Sequence, residues 1–216
     1  MDNENIEITK KHVGSVKPID IFIDCFDSSE EAKQFCARVD DSQTNARIAL
    51  NQTARMVWLA DRIEEVAKGR PALQILFYLI AAEAVAKIFY NFSKEGESRQ
   101  YVKKFFFDFC SENDKKKLGE SIFFTIPEKL TLDTVLDILY DIRCDVAHRG
   151  EYYSISFPES GKLSQISTER FSQSSCYKER IVTISLTIHN LRLIILRTAK
   201  EACLRMVLEE TVACSI

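Results

Sequence analysis

An arginine and a histidine five positions apart, Arg143 and His148, lie in the segment Leu139-Tyr-Asp-Ile-Arg-Cys-Asp-Val-Ala-His-Arg-Gly150. The pair carries the group types that cleave RNA without a metal: a base for the 2′-OH proton, an acid for the departing 5′ oxygen, and a fixed cation beside the phosphate as charge builds there. Histidine serves as acid and base near neutral pH, and arginine grips a phosphate through two hydrogen bonds while staying charged. At about 100° per residue, five helical positions set His148 about 140° around the axis from Arg143. One regular helix therefore cannot aim both at one phosphate. Either the last turn unwinds at Gly150, or a second copy of the chain supplies the complementary group across a two-fold axis. A plainer reading also fits, because Arg143, His148 and Arg149 near a helix end complement its macrodipole.

Other residues extend this constellation. Tyr140 lies about 60° from Arg143 and either stacks on a base or packs at the core edge. Cys144 and Asp145 follow the arginine directly and are candidates for orienting it or contacting substrate. Cys144 is also four residues before His148, the spacing of an imidazole-activated thiol, although helical thiols are ordinarily inert packing. Glu83 and Lys87 either line the site, with Glu83 orienting Arg143, or form an ordinary surface pair at i, i+4. His189 reads as a satisfied helix residue, Lys115-Lys-Lys117 as a solvated turn, and the FFFDF run as core. The three histidines (His12, His148, His189) and the cysteines show no ligand spacing, so no metal site and no cofactor are expected.

The elements that must position these residues are mostly helical. Gly and Pro number only 6 and 4 in 216 residues, too few for the turns of an all-β sandwich or a glycine-looped nucleotide binder. Residues 1–18 are polar, and Ile19–Phe26 alternates loosely enough to be a short strand or an extended lead-in. Ser28-Ser-Glu-Glu31 has capping-box spacing and starts a helix to about Val39, and a second helix runs from about Ser42 to Lys68, stopped by Gly69-Arg-Pro71. Ala72–Phe92 is apolar nearly all round, which marks a central helix, with Glu83, Lys87 and Asn91 on one stripe. Ser98 caps a helix through FFFDF, and Ser111 caps a short turn after it. Thr131 caps a helix with apolar stripe Leu132, Val135, Leu139, Ile142 and Val146, which ends at Gly150. Residues 151–180 read as a β-hairpin or long loop, and a final helix spans about Ser185 to Glu210. The chain divides into an N-terminal helical extension of unassigned role, residues 1–70, and a helical bundle, residues 71–216.

The net charge of −3 argues against a general nucleic-acid coat, which needs a broad basic surface, and leaves room for a local basic cleft. Seven cysteines without a C-x-x-C pair read as reduced thiols of a cytoplasmic protein. The first residues lack the apolar run of a signal peptide, and the longest uncharged stretch, Pro71–Ala82, falls short of the roughly 20 residues of a membrane span. A soluble chain with no membrane contact is expected.

Arg143 and His148 as R-x-x-x-x-H at the end of an amphipathic helix, Val146-Ala147 before the histidine, Gly150 after it, and an apolar helix carrying Glu83 about 60 residues upstream together resemble the HEPN superfamily, most closely its Apea-like branch. The resemblance covers roughly residues 70–210. It implies a mainly α HEPN-like bundle and a metal-independent endoribonuclease acting as a homodimer, in the company of toxins and defence or stress effectors, some with a cognate antitoxin. Under it, Arg143 binds phosphate and stabilises the transition state, and His148 is the general acid or base. The family usually has Asn, Asp or His directly after the arginine, whereas this chain has Cys144 with Asp145 one place later. The alternative is a catalytically inactive HEPN-like domain that binds RNA, a nucleotide or a protein partner.

Overall fold

The computed structural model describes residues 16–42, 45–91, 96–124, 130–153, 155–167 and 181–213. It begins with α1 (Pro18–Phe22) and a single 3-10 turn (Ile23–Cys25), followed by α2 (Ser29–Asp41), α3 (Asn45–Val66), α4 (Pro71–Phe89), α5 (Ser98–Phe109) and α6 (Glu112–Ser121). Then come β1 (Ile122–Phe124), α7 (Leu132–Arg149), β2 (Ser164–Ser167), β3 (Ile181–Ile184) and α8 (Ile188–Ala213). The protein is mainly helical with one small antiparallel sheet, ordered β1-β3-β2.

The Ile19–Phe26 segment is helical and not the strand or extended lead-in its alternation suggests. Pro18 occupies the first helical turn, where its fixed φ is already right and its missing N–H costs nothing. Ile21 and Phe22 are buried, and the Phe35 ring packs on both Phe22 and Phe26. Packing thus overrides a weak local pattern. Ser28 caps α2 by accepting from the Glu31 N–H, and Thr131 caps α7 by accepting from Thr134, as their spacing predicts. Ser98 does not cap α5: it is the first helical residue, and the cap position falls to Glu97, which makes no side-chain bond there. Ser111 does cap, accepting from the Asp114 N–H, and the element it starts is a ten-residue helix, longer than the short turn expected.

The central helix is α4, which packs against α3, α5, α7 and α8. It is the one described helix long and apolar enough to cross a membrane by length and composition, with mean hydropathy 1.8 over its best window. More than half of that window is buried within the bundle, as a core helix requires. Asn91 lies past the end of α4 with φ 48°, so it does not extend the Glu83–Lys87 stripe as a helical residue. On α7, Val135, Leu139, Ile142 and Val146 are buried and Leu132 is partly buried, which makes the predicted stripe the inner face.

The expected hairpin is more elaborate. β2 lies inside residues 151–180, its partner β3 starts just beyond them at Ile181, and β1 joins as a third strand that local sequence does not announce. Ile122 and Ile184 pair in register, and both are fully buried. The residues between β2 and β3 lie outside those described.

Residues on both sides of position 70 share one hydrophobic cluster, from Ile21 and Phe22 through Leu50 and Val57 to Ile194 and Met206. Arg192 of α8 reinforces that contact, donating to Asp61 of α3 at 3.0 Å and to Asp24 at 2.8 Å. Phe22→Ala removes a fully buried ring from this shared core and is expected to lower stability by about 3–5 kcal/mol. Two-state chemical denaturation of the whole chain checks it: one transition that moves as a unit is the expected result.

Candidate functional site

Arg143 projects from α7 into the seam with α4 and α5. Its guanidinium donates to a Glu83 carboxylate oxygen at 3.3 Å, and Glu83 in turn accepts from Lys87 at 2.6 Å. The arginine side chain is only 17% exposed and Glu83 only 11%. Two buried side-chain atoms among the described residues lack a hydrogen-bond partner, Thr53 Oγ1 and Arg143 Nε. A donor shut away without a partner is costly, so the Arg143 guanidinium is held short of its bonding capacity.

Burial by itself would raise the Glu83 pKa, but hydrogen bonds from Lys87 and Ser98 and the charges of Lys87 and Arg143 outweigh it and hold the carboxyl below its ordinary value. The hydroxyl expected to cap α5 therefore serves this seam. Tyr140 is 92% buried, and its ring centroid lies 4.7 Å from the Arg99 guanidinium and 5.2 Å from that of Arg143. Burial pushes its phenol up, while the Arg143 charge and a hydrogen bond with Ser98 oppose the rise. Next along the seam, Arg99 bridges Asp137 at 2.9 Å and the buried Asp141 at 2.5 Å, and Lys103 pairs with Asp133 and Asp137.

The structure thus joins Glu83, Tyr140 and Arg143, and leaves His148 and Asp145 outside the seam. The helix is regular through Arg149, so the last turn does not unwind. Gly150 at φ 68° closes it, its N–H turned back onto the Val146 carbonyl. His148 is exposed and has no side-chain partner among the described residues. Asp145 is buried and pairs with Arg149 at 3.4 Å. Cys144 is half-buried against the core edge. Four further cysteines among the described residues are free thiols, and burial pushes Cys25, Cys36 and Cys110 up to about 11 and Cys203 to about 12. They are protonated packing groups at neutral pH. No group of three His, Cys, Asp or Glu side chains converges among the described residues.

Sequence reasoning misses Arg99, Ser98 and Asp141. A signal is present: Asp137, Tyr140, Asp141 and Cys144 recur at helical spacing, and Arg99 and Lys103 are four apart, so opposite-charged faces are available on α5 and α7. His189 is also corrected: it is exposed and without a side-chain partner among the described residues, not a satisfied helix residue. Lys115–Lys117 lies within α6, where Lys115 pairs with Glu112. In the FFFDF run Phe105, Phe106 and Phe109 are core as expected, whereas Phe107 is exposed.

Compared with known proteins, the chain matches no family model, and neither the curated proteins nor the solved structures contain a significant match.

Removing the Glu83 carboxylate leaves the half-buried Arg143 guanidinium with less compensation, so Glu83→Ala is expected to cost about 1–3 kcal/mol. Because the folded carboxyl has a lowered pKa, the stability it lends is fully present above its ordinary value of 4.5 and is lost as pH falls through the lower folded value. Urea midpoints measured as pH falls through that window should drop more steeply for the natural protein than for Glu83→Gln. Parallel acid limbs would remove Glu83 from this role.

Proposed function

We propose that the chain is a metal-independent, HEPN-type endoribonuclease of the cytoplasm that works as a homodimer, with Arg143 as the phosphate-binding cation and His148 as the general acid or base. One observation carries this reading. α7 holds Arg143 in a braced, incompletely bonded state while presenting His148, unpaired, about 140° away on the same unbroken helix. Within one chain the two do not meet, and a two-fold axis beside the end of α7 is the simplest operation that brings the arginine of one copy to the histidine of the other. Arg143 supplies the cation that stabilises charge on the phosphorane-like transition state, and the buried Tyr140 ring packs against its guanidinium and helps to hold it in place. Glu83 and Lys87 fix the arginine rather than react, and Cys144 and Asp145 flank it. Such effectors are commonly toxins or defence proteins restrained by an antitoxin, and a cognate regulator fits the same reading.

A second reading is favoured by the Glu83–Arg143 contact itself. A guanidinium already paired with a carboxylate has less to offer a phosphate, and an inactive HEPN-like bundle that binds RNA, a nucleotide or a protein partner accounts for that pairing equally.

Cleavage of a structured RNA in the presence of EDTA, with 2′,3′-cyclic phosphate ends, is the expected behaviour of the natural protein. His148→Ala touches an exposed side chain and should leave the fold intact while lowering the rate by about a hundredfold or more. Full activity in that variant would remove His148 from the chemistry, and no cleavage by the natural protein would favour the inactive bundle. Light scattering at micromolar concentration should give a dimer mass, and a strictly monomeric mass would sink the shared site.

A further inference from the structure

A groove of about 700 Å³ lies where the α3–α4 turn, the segment around Phe157 and the start of α8 meet. It contains neither Arg143 nor His148, so its role is independent of the nuclease reading. A second concavity, about 570 Å³ around Trp58 and Arg62, also excludes both.

The decisive feature of the first groove is Gln74. It lines the cavity from the first turns of α4, is 94% buried, and its amide has no hydrogen-bond partner among the described residues. The amide opens on the groove, where it offers a donor and an acceptor on one planar edge to whatever enters. The complement of that edge is another amide.

The groove's other chemistry is divided between apolar and charged. Pro71, Phe157 and Ile188 give it an apolar wall. At its α8 end, the Thr187 hydroxyl accepts the Asn190 N–H at 3.1 Å and so caps the 26-residue helix, whose first two N–H groups, those of Ile188 and His189, lack intrahelical acceptors. Lys68 and His189 line the same groove, and neither side chain has a partner among the described residues. The two acids there are already engaged: Glu64 accepts from the Gly69 N–H, and Glu159 is ion-paired with Lys162. An additional cation, Lys117, is attached to Asn190 at 3.2 Å. Lys68 and the start of α8 are the positive groups of the groove that none of these contacts engages.

An unbonded amide, an apolar wall and a positive helix start together describe the complement of one common group. We propose that this groove binds the C-terminus of a peptide: the terminal carboxylate at Lys68, His189 and the α8 N-terminus, the apolar last side chain against Phe157, and the preceding peptide amide on Gln74.

The test compares acetyl-Ala-Leu-Phe as the free acid with the same peptide as its C-terminal amide, followed by amide-resolved NMR of the full chain. The free acid is expected to shift the Gln74 side-chain amide and the His189 backbone N–H saturably, and the amide to bind about tenfold more weakly, as loss of a charge-assisted contact predicts. Lys68→Ala and His189→Ala change exposed residues, so they should fold normally and weaken the acid while leaving the amide unchanged. Gln74→Leu should weaken both. Equal binding of acid and amide, or shifts that avoid Gln74 and His189 at millimolar peptide, would overturn the proposal.

Discussion

The α7 helix keeps its hydrogen bonding through Arg149, and only then does Gly150, in the left-handed region, turn the chain away. The chemistry open to Arg143 and His148 depends on that persistence. A helix does not twist to suit its side chains, so the angular positions of the two residues are set by their spacing, and the structure offers no local distortion to relax them. The arginine faces inward onto α4 and α5. The histidine faces out. Any chemistry that joins them must come from outside the single chain.

The inward half is an electrostatic seam. Charges at the junction of α4, α5 and α7 are placed in alternation: Lys87, Glu83 and Arg143, then Arg99 with Asp137 and Asp141, then Lys103 with Asp133. The Tyr140 ring touches both groups, through the guanidiniums of Arg99 and Arg143. Such a row is costly to desolvate and is held together by its own pairing, so loss of one partner is felt by the next. The seam therefore fixes Arg143 in place, which is as useful for a catalytic cation as for a helix–helix clamp.

The range of each interaction decides whether it is legible in the sequence. Caps at Ser28, Ser111 and Thr131, the central apolar helix and the end of α7 at Gly150 are local signals and are readable as such. The α1 turn escapes that reading because its alternation is weak and its helix is stabilised by Phe35, thirteen residues beyond Phe22. The strand at Ile122 is hidden because its partner lies some sixty residues away. In the candidate site, Arg143, Glu83 and Tyr140 are legible from spacing, whereas Arg99 and Ser98 join them only through the packing of α5 on α7, and the place of Gln74 on a groove is apparent only once that groove exists.

The central claim is that the two faces of α7 are completed by a second copy of the same helix. A photoreactive benzoylphenylalanine at Ala147, an exposed position next to His148 and about 40° from Arg143, probes it directly. Irradiation of the protein at micromolar concentration, followed by mass spectrometry of the cross-linked peptides, should join residue 147 to the α7 segment of a second copy containing Arg143. Cross-links confined to one chain, or landing on the partner away from that segment, would contradict the shared site.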